Sequence, residues 1–132
     1  MHNLAVVLSW FEVLKPLLGN EMAWQQGRIA LAEGFTNAVR HAHRGLPPET
    51  PILLVAQVGA DELVLEIWDQ GQFFDLERFV SQLPPSSRDA EGGRGLRLIY
   101  EVADQVDYRR FYGDSNRLRI VKQLQSSQMS LS

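Results

Sequence analysis

The chain has no cysteine among its 132 residues. That excludes disulfides, thiolate nucleophiles and cysteine-rich zinc sites. It also lacks any apolar run near the ~18 residues of a membrane-spanning helix. The opening MHNLAVVLSWFEVL is apolar but is interrupted by Glu12. It has no basic leading segment and no small-x-small cleavage pattern, so it reads as a core helix rather than a signal peptide. Positive charge is not in excess: 13 Lys and Arg face 16 Asp and Glu, a net charge of −3. The basic residues are scattered, except that Arg117, Arg119 and Lys122 are grouped as on the wet face of a strand, so no nucleic-acid footprint is expected. There is no G-x-S-x-G elbow and no G-x-G-x-x-G fingerprint. His41 and His43 are two apart, which splays them on a helix. A soluble cytoplasmic protein is the expectation, with neither membrane nor direct nucleic-acid contact.

What is present is ordinary globular material, 45% hydrophobic and 22% charged. The length suggests one domain, residues 1–124, and a flexible tail, 125–132. Val7, Trp10, Phe11, Leu14 and Leu18 recur at helical spacing, which predicts a helix over 4–18 that Pro16 kinks or ends. A second helix is predicted from Glu21 to His43. Strands are predicted at 51–58 and 62–69, joined at Gly59-Ala60-Asp61, and near 105–111 and 117–124, joined by Tyr112 to Asn116. A short helix at 75–83 and another opening at Leu96 lie between. Two hairpins plus helices predict an α+β, two-layer α/β sandwich, its sheet mostly antiparallel and its helices on one face.

Three stretches stand out. In EGFTNAVRHAH, Glu33, Asn37 and His41 recur at every fourth position and share one helix face. That stripe lies nearly opposite Leu31, Phe35, Ala38, Val39 and Ala42. Asp69-x-Gly71 leaves the second strand, and by period two Asp69 points with Leu63, Leu65 and Ile67 toward the helices. Gly92-Gly93-Arg94-Gly95-Leu96 opens a helix. Each is weak alone, because short motifs match by chance. Together and in this order they are specific.

Over residues 28 to 122 the chain resembles the GHKL (histidine-kinase-like) ATP-binding domains. EGFTNAVRHAH resembles their N-box, DQGQFFD the first Gly box and EGGRGLRLI the second. The wording is most similar to bacterial anti-sigma-factor serine/threonine kinases. The resemblance implies ATP and Mg²⁺ as cofactors. Asn37 would hold Mg²⁺, which prefers oxygen ligands. Glu33 would be the general base toward a serine hydroxyl. Asp69 would accept from the adenine amino group, and Gly71 would let backbone approach the base. Gly92, Gly93 and Gly95, with Leu96, would present backbone N–H groups to phosphates, and Arg94 would reach the γ-phosphate. Phe73 and Asn116 would border the nucleotide. The implied partners are an anti-sigma antagonist protein and a sigma factor, with a homodimer as the assembly.

The match departs from the family at named places. Phe73 stands where the first Gly box has a second glycine. Asn116 is the nearest polar residue where the last turn often carries Thr. The chain starts almost at its first helix, where these kinases usually begin with a strand used in dimer pairing. The alternative reading is therefore a non-catalytic module that captures a partner with weak or lost ATP binding. A detached sensor-kinase catalytic domain fits the EGGRGL wording less well.

Overall fold

A computed structural model of the chain describes residues 3–42, 44–82, 95–111 and 113–124. Helix α1, Leu4–Glu12, is capped by Asn3, whose side chain accepts from the Ala5 and Val6 N–H groups. Helix α2, Lys15–Leu18, ends at Gly19 with φ +62°. The expected single helix over 4–18 is thus two. Pro16 lies in the first turn of α2, where its missing N–H costs least, and the break falls just before it. Val7, Phe11 and Leu18 face inward, whereas Trp10 is 40% exposed and lies outside the core.

Helix α3, Glu21–Asn37, carries the first motif. Asn20 caps it by accepting from the Ala23 N–H, and its Nδ2 donates to the Leu124 carbonyl at 2.6 Å. One side chain therefore starts the helix and ties it to the end of the sheet. The helix expected to reach His43 changes character after Asn37. Ala38–Ala42 form a π-helical turn, a local widening that recurs at functional sites. His43, and the side chains of His41 and Ala42, lie outside the described residues.

Strands β1 (Leu53–Val58), β2 (Glu62–Asp69), β3 (Gln105–Phe111) and β4 (Ser115–Gln123) form one antiparallel sheet in the order β1-β2-β4-β3. Between the hairpins lie α4, Leu76–Ser81, and α5, Gly95–Val102. The expected α+β two-layer arrangement is present. Leu63, Leu65 and Ile67 meet Leu118 and Ile120 under Phe11, Leu31 and Phe35. Helix α3 lies very close to this layer because its contact face is small. A methyl group built on Gly34 would overlap Ile67 and sit 3.2 Å from Leu118 Cδ2, and one on Gly27 would come within 2.9 Å of Leu63 Cδ2.

The opposite sheet face carries a polar network. Arg117 pairs with Asp107 at 2.9 Å and lies 5.0 Å from the Phe111 ring centroid, while Trp68 Nε1 donates to Glu66. Lys122 departs from the basic group expected there. Its Nζ donates to the Val102 carbonyl, on the helix side.

Candidate functional site

The first motif is half-buried rather than a wet stripe. Glu33 and Asn37 are both intermediate in exposure. Gly95 begins α5 directly against Glu33, so closely that a methyl there would overlap the Glu33 carboxylate. The first and third motifs therefore meet across the α3–α5 contact. One turn on, the Asn37 Oδ1 is buried and has no hydrogen-bond partner. A buried acceptor left unpaired costs about 1–3 kcal/mol, so it calls for a missing donor or cation.

Asn37 lines a cavity of about 180 Å³ with Phe74, Phe79 and Leu96. Leu96 comes from the third motif and Phe74 from the second, so all three motifs reach this one space. The volume is below the roughly 300–1,000 Å³ of ligand pockets, with Gly92, Gly93 and Arg94 outside the described residues. Phe73 takes no part in this wall. Its ring stacks on Tyr108, 5.1 Å between centroids and 8° between planes, and stays 45% exposed. Phe74 also packs on Tyr108, tilted at 5.5 Å, and meets Phe79 edge-on at 6.1 Å. Asp75, the last letter of DQGQFFD, caps α4 by accepting from the Arg78 N–H at 3.1 Å.

Asp69 is 4% exposed at the end of β2, on the inner face as parity requires. Its Oδ1 accepts from the Gly71 N–H and from Asn116 Nδ2, both at 2.9 Å. Asn116 also donates to the Gly71 carbonyl at 2.8 Å. The sequence placed Asn116 in the β3–β4 turn. It is instead a fully buried strand residue, directly opposite Asp69 on β4. On the far side, in register, stands Arg110 of β3. Its Nη1 donates to Asn116 Oδ1 at 3.0 Å and to the Gly71 carbonyl at 2.8 Å, and its Nη2 to Asp114.

Sequence reasoning missed Arg110, Tyr108, Phe74 and Phe79. Strand parity was the available signal for the first two. The Tyr108 hydroxyl is buried without a partner. Burial pushes it well above its ordinary value and the Asp69 carboxylate adds to this, while Arg110 opposes it. Among the described residues no cluster of three or more His, Asp or Glu could hold a metal. The unpaired Asn37 oxygen nevertheless fits Mg²⁺, which keeps most of its shell from water and phosphate and needs few protein ligands.

Residues 2–122 match the family model of the histidine kinase-like ATPase domain. The chain belongs to that family. The chain is 35% identical to the serine-protein kinase RsbW of Staphylococcus epidermidis over 88 residues, 62% of this chain and 55% of that protein. With RsbW of Staphylococcus aureus it shares 33% over the same lengths. The chain thus spans about half the length of the curated relatives it matches. No helix among the described residues is long and apolar enough to cross a membrane. Within this histidine kinase-like ATPase domain, Glu33, Asn37, Gly95 and Leu96 form one group, and Asp69, Gly71 and Asn116 another.

Proposed function

We propose that this chain binds Mg²⁺·ATP between α3, α5 and the 71–74 segment and transfers the γ-phosphoryl group to a serine or threonine of an anti-sigma antagonist, so controlling sigma-factor availability. One observation carries the reading: Asn37, whose side-chain oxygen is buried and unpaired, lines a cavity that all three motifs reach. Relatives named as serine-protein kinases support the reaction type.

Bound ATP supplies the phosphoryl group and Mg²⁺ neutralises its charge. The residues then have separate tasks. Asn37 offers its amide oxygen to the metal. Glu33, one turn earlier, accepts the proton of the attacking hydroxyl. Asp69 accepts from the adenine amino group, with Gly71 allowing the close approach. Gly92, Gly93 and Gly95 offer N–H groups to the phosphates and Arg94 the balancing charge. Asn116 acts behind Asp69, holding it. Protein partners, including a second copy, are supported by the segment from α1 through α2, which leaves Val6, Trp10, Val13 and Leu17 exposed.

The test is a labelled-ATP assay with a candidate antagonist protein. Label on a serine or threonine is expected, and Glu33→Ala should abolish transfer while nucleotide still binds. Label on histidine would refute the kinase class, and joint loss of binding and transfer would remove Glu33 as base. Phe73 in place of a glycine favours the second reading, a partner-binding module without catalysis. Calorimetry with Mg²⁺·ATP separates the two, since the module would give no heat.

A further inference from the structure

Three strands contribute one residue each to a single inner row: Asp69 of β2, Asn116 of β4 and Arg110 of β3. The row's bonding runs one way. A guanidinium can only donate, so the Asn116 oxygen faces Arg110 and its Nδ2 faces Asp69 and Gly71. Arg110 also holds the Gly71 carbonyl, so the carbonyl receives both neighbours. Asn116 is 0% exposed with Arg110 in place, and without Arg110 its oxygen would lose that donor.

We propose that Arg110 is a positioning residue that, through Asn116 and Gly71, makes Asp69 select a purine carrying an amino donor over one carrying a carbonyl acceptor. This rests on the nucleotide reading above. Arg110 touches no nucleotide itself. Its other contact, Asp114, is an ion pair whose aspartate is 85% exposed and adds little.

The experiment measures binding of ATP and inosine triphosphate, which differ in that amino group, by calorimetry with Mg²⁺ on the full chain. The wild type should prefer ATP by on the order of ten- to a hundredfold, as for one hydrogen bond to a charged group. Arg110→Met should bring the preference to about twofold or less by weakening ATP alone. Arg110→Lys, which keeps the charge and several donors, should restore most of it. Arg110→Leu, which likewise removes every donor, serves if that variant does not hold its fold. An unchanged preference in Arg110→Met, or equal loss of both nucleotides, overturns the inference while leaving nucleotide binding intact. A wild type that binds neither nucleotide removes the nucleotide reading and this inference together.

Discussion

Gly95 at the start of α5 lies against the carboxylate of Glu33, with no room for a methyl group between them. The obstructing atom is the end of a flexible side chain, so Gly95→Ala should displace Glu33 rather than the fold. Stability should change by less than about 1 kcal/mol. Phosphoryl transfer should fall at least about tenfold, because a misplaced base loses much of the ~10²–10⁴ that general base catalysis contributes. Thermal melts beside single-turnover transfer check this, and full activity would show that Glu33 has no positional role.

Asn37→Ala removes a buried oxygen that has no partner. Without ligand, the variant should be no less stable than a surface substitution, within about 0.5 kcal/mol of wild type. The ligand response should differ. At a nucleotide concentration a hundred times the Kd, the wild type should gain about 2.7 kcal/mol with Mg²⁺, and the variant much less. Melting with Mg²⁺·ATP and with ATP plus chelator checks it. An equal Mg²⁺-dependent gain in both proteins would place the metal elsewhere.

Gly34 backs the same motif from the core side. A methyl there would overlap Ile67, which is 1% exposed and cannot swing into solvent. Gly34→Ala should therefore destabilise by about 1–3 kcal/mol through overpacking. Denaturant unfolding with an unchanged slope checks it.

The legible and illegible parts of this chain divide along physical lines. Period two placed Asp69 on the inner face because β2 runs without a bulge to its last residue. The spacing of Glu33 and Asn37 placed them one turn apart. Their burial was not legible, because α5 comes from more than fifty residues later and covers them only in the fold. Apolar periodicity also undersold α3, which meets the sheet at Gly27 and Gly34 and buries Ala23 and Ala30, small residues that score as weakly hydrophobic. The place of the Phe73 ring was not legible either, because its stacking partner, Tyr108, is distant in sequence. Asn116 looked like a turn residue because Gly113 and Asp114, both at positive φ, make a tighter turn than composition suggested.

On the outer face, Asp107 shows a competition of signs. Burial raises its carboxyl, but hydrogen bonds from Arg109 and Arg117, with their charges, outweigh this and leave it below the ordinary carboxylate value. A depressed folded value means stability that is present above the unfolded value, ~3.9, and lost as pH falls through the folded one. Asp107→Asn should therefore cost less than about 1 kcal/mol at pH 7, given its partial exposure. The deficit should vanish in acid, and denaturant midpoints from pH 7 to pH 2 check it.

Tyr108 titrates in the opposite sense. Burial first, then the Asp69 carboxylate, holds its hydroxyl above the ordinary value. The unfolded chain loses this proton near pH 10 while the folded chain keeps it. A raised folded value gives stability that is complete below the unfolded value and is lost as pH rises toward the folded one. Stability should thus decline above pH 10, and Tyr108→Phe should remove that part of the decline. At pH 7 the substitution should be neutral or stabilising by up to about 1 kcal/mol, because it deletes a buried hydroxyl that has no partner. The ring would remain to stack on Phe73 at 5.1 Å, so the loop between Gly71 and α4 should keep its course. Unfolding at pH 7 and pH 10.5 separates the two contributions. A variant that loses stability at pH 7 would mean that the hydroxyl holds a partner in solution, and a water between Tyr108 and Asp69 would be the first to seek.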